Sequence, residues 1–357
     1  MPEKPRVSLR EIAEKAGVSR MTVSLALRGK GKISEKTRAR IVGIADKLGY
    51  EPDPELGKLM ARVRASSSLS THACLALLTS GPTRDAWRRY VTERKYVEGC
   101  LERARSYGYQ VEEFWLNEPG MSHSRLGKII WSRGIEGLII APIQGKLSGD
   151  DPRSLKFDFS LFSAVEISET VKAPDLDRSL HDQYTSTLRV IDELLALGYR
   201  RIGMVLERAL DRRVNGRWTA AFARCQIYRE PERLIPPLIL PEASADAFRS
   251  WHREHRPDVV ISVDRFALRL IEACGLGIPK DVGYATLDLD GLTEEYGWIS
   301  GIDQNSHQVG ASAVDLLVGA IQRGQRGIPE LPVRIEVAGT WRKGKSTPRR
   351  TGRASRA

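Results

Sequence analysis

Ser19, Arg20, Met21, Thr22, Ser24, Leu25 and Arg28 crowd into one short stretch, GVSRMTVSLALRG, residues 17–29. Arginine can grip a guanine edge with two parallel hydrogen bonds, and an apolar side chain can touch a thymine methyl. Serine and threonine hydroxyls at a helix N-terminus can hold phosphates. At about 100° per residue, Val23, Ala26 and Leu27 share one face of a helix opened by Ser19 and point into a small core. Met21, Ser24, Leu25 and Arg28 then lie on the opposite face, with Arg20 on the exposed first turn. That mixture suits a DNA major groove. The alternative is that Met21 and Leu25 pack on another part of the protein.

Three helical patterns must position this face. SLREIAEKAG opens on Ser8 with Glu11 three residues on, a capping box. Ile12, Ala13 and Ala16 form its inner stripe, and Gly17 ends it. The second helix runs from Ser19 to Gly29. SEKTRARIVGIADKLGY starts at Ser34, carries Ile41, Ile44, Ala45 and Leu48, and ends at Gly49. Two helices joined by the tight turn AGVS predict a helix-turn-helix.

Charge agrees with this reading. The net charge is +11. Residues 1–65 hold 15 Lys+Arg against 8 Asp+Glu, and residues 342–357 hold 7 basic side chains and no acid. The long middle, 66–341, is mildly acidic, with 34 against 37. A basic head on a near-neutral body implies a polyanion-binding module joined to something else; a solvated basic surface is the plainer alternative.

YEPDPELGKLMARVR follows the head. Asp53 as N-cap, Pro54 at the first helical position and Glu55 in the first turn open a helix. Gly57 in its middle costs about 1 kcal/mol of helix propensity, so the helix is marginal alone. RVRASSSLSTH then reads as a flexible linker.

From residue 72 to 341 apolar strand-like runs alternate with helical patterns: ACLALLTS, QVEEFWL, EGLIIAPI and FSAVEIS, then RIGMVLE, PLILPE, PDVVISVD, VGYATLDLD and WISGIDQ. Continuous apolar strands flanked by helices mean parallel sheets covered on both faces. Two such blocks predict two doubly wound subdomains with a cleft between them.

The chain carries no GxSxG elbow, no Walker A loop and no HExxH. CGLGIP puts proline where a dinucleotide helix would run. His252 and His255 in HREH read as solvated surface rather than a metal pair. No catalytic, metal or cofactor site is therefore expected. Cys74, Cys100, Cys225 and Cys274 are far apart and read as reduced thiols. No apolar run approaches the roughly 18 residues of a membrane span, and MPEKPRVSLR has no apolar signal region, so a cytoplasmic protein without a membrane partner is expected.

The head, VSLREIAEKAGVSRMTVSLALRGKGKISEKTRARIVGIADKLGYEPDPELGKLM, closely resembles that of the LacI/GalR family of bacterial repressors, without a gap over about 55 residues. The shared features are AGVS..TVS.AL, VS/IS..TR and A..LGY.P. The resemblance implies base reading by Arg20, Met21 and Leu25, with Arg28 on the same face. It implies phosphate contacts by Ser8, Ser19, Thr22, Ser24, Ser34 and Thr37. It also implies a hinge helix that folds on DNA in a dimer, with Leu59 wedged into the minor groove; ordinary packing is the other reading of Leu59. Many members carry Arg where this chain has Leu25.

The body is similar to the family's effector-binding core, which is like periplasmic sugar-binding proteins; LLALGYRRIGMV and IDQNSHQVGASAVDLL fit best. The resemblance implies effector contacts at Asp288, at Arg212 or Arg213, and at Trp87, Glu166, Trp218, Asp264 and Asn305. Trp218 is alternatively core, and Asp264 is alternatively structural. Val263 stands where the family often has Asn.

These readings give a helix-turn-helix domain over 1–50, a hinge and linker over 51–71, a two-subdomain effector and dimerisation core over 72–341, and a disordered basic tail over 342–357. The implied protein is a homodimeric repressor that binds a palindromic operator in double-stranded DNA under control of a small effector, a sugar or related metabolite. The rivals are a pure small-molecule-binding protein or a sugar-modifying enzyme on the same fold.

Overall fold

The computed structural model describes residues 9–27, 33–48, 50, 73–144, 154–229 and 232–350. The chain divides into two compact units, residues 1–71 and 72–357.

In the first unit, α1 (Leu9–Ala16), α2 (Arg20–Leu27) and α3 (Glu35–Leu48) close on a small core. Ile12, Ala13, Ala16, Val23, Ala26, Ile41 and Ala45 fill it, with Leu27, Ile33, Ile44 and Leu48 packed around them. The turn after α1 explains why glycine stands at position 17. Its φ is +62°, which side chains with a Cβ resist. Gly17 N–H then donates to Glu14 O at 3.4 Å and Val18 N–H to Ala13 O at 3.1 Å, closing the helix end by the two reverse bonds of a Schellman turn. Arg40 donates to the Ala16 carbonyl at 2.9 Å and ties α3 to the same turn. The expected cap Ser8, the reader Arg28 and the hinge with Leu59 lie outside the described residues.

The second unit has two lobes, each built on a six-stranded sheet. The first uses β1 (Cys74–Thr79), β2 (Gln110–Trp115), β3 (Gly137–Ile140), β4 (Ser163–Ile167), β5 (Asp177–His181) and, from near the C-terminus, β11 (Arg334–Val337). Its order is β11-β5-β4-β3-β1-β2, with parallel pairing throughout. The second uses β6 (Ile202–Glu207), β7 (Leu238–Leu240), β8 (Val259–Ser262), β9 (Gly283–Thr286), β10 (Ser300–Asp303) and β12 (Thr340–Arg342). Its order is β12-β10-β9-β8-β6-β7, antiparallel only at β12. Central strands such as β3 and β8 are buried along their whole length, which is why they read as unbroken apolar runs.

Helices cover the sheets: α4 (Val91–Ser106) and α5 (His123–Ser132) belong to the first lobe. α6 (Gln183–Ala196), α7 (Arg208–Arg213), α8 (Arg217–Tyr228), α9 (Ala245–His255) and α10 (Phe266–Ala273) belong to the second. The chain crosses between lobes after β5, after β10 and after β11. The second crossing returns α11 (Ser306–Arg323) to the first lobe, where Val309, Ala313, Val314 and Leu317 share a core with Leu75, Val97 and Val165.

One expectation is corrected here. Residues 342–350 are not a disordered tail. Ser346 Oγ donates to Tyr284 O at 2.6 Å and accepts from Ser300 N–H at 2.8 Å, and Tyr284 N–H donates to Ser346 O at 3.2 Å. Arg350 N–H donates to Leu197 O at 2.8 Å. Charge suggested disorder, but the segment carries small hydroxyl side chains, Ser346 and Thr347, that are fully buried along the second sheet. Of the tail, residues 351–357 lie outside the described residues.

Candidate nucleic-acid interface and ligand cleft

In the head, two helix starts are built alike. Ser19 Oγ accepts from Thr22 N–H at 3.1 Å and lies 2.9 Å from Thr22 Oγ1. Ser34 Oγ accepts from Thr37 N–H at 3.3 Å and lies 2.8 Å from Thr37 Oγ1. Each Ser-x-x-Thr pair caps an orphan amide. A hydroxyl pair has two protons and only one lies between its oxygens, so each helix start keeps one donor for an anion. Met21 is 73% exposed, so it is not held in the head's core, and Arg20 is exposed beside it. Ser24 and Leu25 are half-buried on the same helix. Val23 and Ala26 are buried, as the helical spacing requires.

In the body, polar side chains meet where the C-terminal ends of the two sheets face each other, as doubly wound sheets dictate. From the first lobe come Thr92, Glu93, Lys95 and Tyr96 in the opening turns of α4, and Gln144 after β3. From the second come Arg213 at the end of α7 and Asp288 and Asp290 after β9. Thr92 Oγ1 donates to Asp288 Oδ2 at 3.3 Å, and Gly291 N–H to Asp288 Oδ1 at 2.9 Å. Lys95 pairs closely with Asp290, which also accepts from Ser306 N–H at 3.1 Å. Arg213 Nη2 donates to Glu93 Oε1 at 3.2 Å, and the Gln144 amide donates to the same oxygen. Among the described residues, Glu93 Oε2 is buried without a partner.

These contacts set the electrostatics. Burial pushes the Glu93 carboxyl up to about 7 against the pull of Arg213. Burial, then the Asp290 carboxylate, push Asp288 up to about 7. Burial also works on Asp290, but Lys95 and Ser306 hold it below the usual carboxylate range. The Tyr96 hydroxyl is raised by burial and then by Asp288.

The expected effector residues divide. Asp288 and Arg213 stand in the cluster. Arg212 is exposed and makes no ion pair among the described residues. Asp264 is exposed, at φ +53°, and its carbonyl accepts from Tyr284 Oη at 2.7 Å. The other four are turned to structural work. Trp87 is 8% exposed, lies in the first lobe's core and donates to Glu113 Oε1 at 2.8 Å, so its face is no open stacking platform. Trp218 is core and donates to Gln183 Oε1 at 2.7 Å. Glu166 is wholly buried, with Arg178 Nε at 2.8 Å and Val171 N–H at 2.7 Å satisfying it. Asn305 starts α11 at φ +54° and donates to Ala338 O at 2.8 Å.

Sequence reasoning missed Thr92, Glu93, Lys95, Gln144 and Asp290. It also missed Arg217 of α8, which reaches Glu169 Oε1 at 3.1 Å and Glu336 Oε1 at 2.6 Å in the first lobe. A signal was present in α4: Thr92, Lys95 and Tyr96 recur at the three- and four-residue spacing of one helix face. Among the described residues no three His, Cys, Asp or Glu side chains converge to hold a metal ion, and no helix is long and apolar enough to cross a membrane.

Comparison with known proteins gives two family matches. Residues 8–53 match the model of bacterial regulatory proteins of the lacI family, and residues 191–347 match the periplasmic binding protein-like domain. The repressor CytR of Escherichia coli K12 is 24% identical over 333 residues, 88% of this chain and 90% of its own. The regulator GntR of Escherichia coli K12 is 26% identical over 217 residues; that match spans 59% of each chain. Among solved structures, the lac repressor dimer bound to operator and an anti-inducer has a TM-score of 0.54 at 19% identity, covering 96% of this chain and 99% of that one. The cellobiose complex of the regulator CelR gives 0.54 at 19%, covering 96% and 100%. The chain thus carries a head domain of the lacI family of bacterial regulatory proteins and a periplasmic binding protein-like domain in its body.

Proposed function

We propose that this chain is a DNA-binding transcriptional repressor, acting in the cytoplasm as a homodimer on a palindromic operator, with its affinity set by a sugar-like effector in the cleft. One observation carries the reading. A single chain joins a helix-turn-helix whose outer face leaves Arg20 and Met21 exposed to a body whose two lobes meet through polar side chains. An enzyme or a plain binding protein has no use for the head. In each half-site Arg20, Met21, Leu25 and Arg28 face base edges, and Ser8, Ser19, Thr22, Ser24, Ser34 and Thr37 face phosphates. Leu59 enters the central minor groove. The effector sits on Asp288 and Arg213, with Asp264 at the rim. It favours one pose of the lobes, and DNA affinity shifts by its differential affinity for the two poses.

A salt titration of operator binding tests the first half. A palindrome from the gene's own upstream region is expected to bind specifically, with log affinity falling by about 0.9 per phosphate contact for each decade of salt. Equal binding to scrambled DNA at moderate salt would overturn the repressor reading.

A further inference from the structure

Among the described residues, no cation pairs with Asp288. Its described contacts are the Thr92 hydroxyl and the Gly291 amide. The charges that act on it are Asp290 and Asp264, both carboxylates. The nearby cations are already engaged: Lys95 by Asp290 and Arg213 by Glu93. Glu93 adds a second unmet demand. It is 6% exposed, and among the described residues its buried Oε2 has no donor. It occupies the same first turn of α4 as Thr92, which reaches Asp288 from the other lobe's side of the cleft. A buried acceptor left without a donor is destabilising, more so when it is charged. The arrangement therefore lacks hydrogen-bond donors and positive charge together. A neutral hydroxyl supplies one donor and no charge; an ammonium supplies three donors and the charge.

We infer that the occupant of this cleft carries a protonated amine, an amino sugar or comparable amine-bearing polyol, with its ammonium on Asp288 and a donor for Glu93 Oε2. The inference rests on the effector reading above and narrows its ligand class. The electrostatics lean the same way: burial and the neighbouring carboxylates push the Asp288 carboxyl up to about 7, and an ammonium beside it would draw it back down.

The test is a thermal-shift and calorimetric panel on the full chain, built of matched sets. Each set holds a hexose or polyol, its amino-deoxy counterpart, the N-acetyl derivative and the corresponding uronic or aldonic acid. Amine-bearing members are expected to bind at least tenfold more tightly than their hydroxyl, N-acetyl and acid counterparts. Asp288→Asn is expected to abolish that preference, and Glu93→Gln to weaken amine binding several-fold; the two variants are close in shape to the native side chains and guard against a misfolded result. A neutral sugar that binds best and is lost in Asp288→Asn overturns the amine and leaves the cleft reading standing. A ligand of any class whose affinity ignores both substitutions overturns the cleft reading itself. A panel in which no amine-bearing member stabilises the chain also overturns the inference.

Discussion

Leu25 and Glu93 show what single side chains decide here. Leu25 is half-buried on α2, near the exposed Met21, and absent from the head's core. Leucine cannot donate to guanine but can cover a thymine methyl. The preferred operator is therefore expected to carry a thymine where Leu25 faces it, and Leu25→Arg is expected to move that preference toward guanine. Randomised-operator selection on both proteins measures this; identical preferred sequences would show that Leu25 does not read DNA. Glu93 makes a prediction about pH. Its folded carboxyl titrates near 7, well above an unfolded glutamate near 4, so the folded state holds its proton more tightly. Stability is lost as pH rises from about 4 to 7, and the loss is complete above that. The charged group facing Glu93 is Arg213 of α7; its other neighbour, Gln144, is neutral. Glu93→Gln mimics the protonated form, so its melting temperature is expected to match the native protein's near pH 4 and to exceed it by a growing margin up to pH 8. The comparison cancels contributions common to both proteins, such as that of buried His181, which titrates near 4. A pH-independent difference would contradict the assigned titration.

At the scale of elements, legibility followed apolarity. The fully buried strands β3 and β8 stood out because both faces need apolar residues. β5, DRSLH, did not: four of its five residues are buried, yet Arg178, Ser179 and His181 are polar. Their partners come from distant sequence, Glu166 for Arg178, Val309 O for Ser179 and Gln304 O for His181, so no local pattern could announce the strand. The crossing helix α11 was legible as a helix, but its seat was not. Glycines set that seat: a Cβ on Gly310 would fall 1.9 Å from Tyr96 O, and one on Gly99 would fall 1.9 Å from His307 O. The α4 and α11 backbones therefore touch, and Cys100 Sγ reaches Gly310 O at 3.2 Å. Gly310→Ala is expected to destabilise the body by about 1–3 kcal/mol through overpacking, against the gain alanine normally brings to a helix. Denaturant unfolding checks the sign; a stabilised variant would mean that the helices can separate cheaply. Because α4 also carries Thr92 and Glu93, the same variant is expected to weaken effector binding.

For the molecule as a whole, function depends on what joins the lobes. Three chain crossings permit a hinge, and side-chain bridges oppose it: Thr92 to Asp288, Lys95 to Asp290, Arg213 to Glu93, and Arg217 to Glu169 and Glu336. The first three belong to the ligand cluster, so changing them confounds binding with lobe closure. Arg217 separates the two. It is 18% exposed at its side chain and touches none of Asp288, Glu93 or Arg213 through a described bond. Its acids approach from the first lobe, while its helix belongs to the second. Replacing it by glutamine keeps some donors but removes the charge that holds the bridge, so the bridged pose loses stability relative to any pose in which the lobes part. If the operator prefers one pose, affinity in the absence of effector must change, and the sign of the change names that pose. Arg217→Gln is accordingly expected to alter effector-free operator affinity several-fold, and to speed hydrogen exchange at the crossings near His181, Gln304 and Ala338. Unchanged operator affinity together with unchanged exchange would mean that the Arg217 bridge does not govern the lobes, and that the switch rests on the ligand cluster alone.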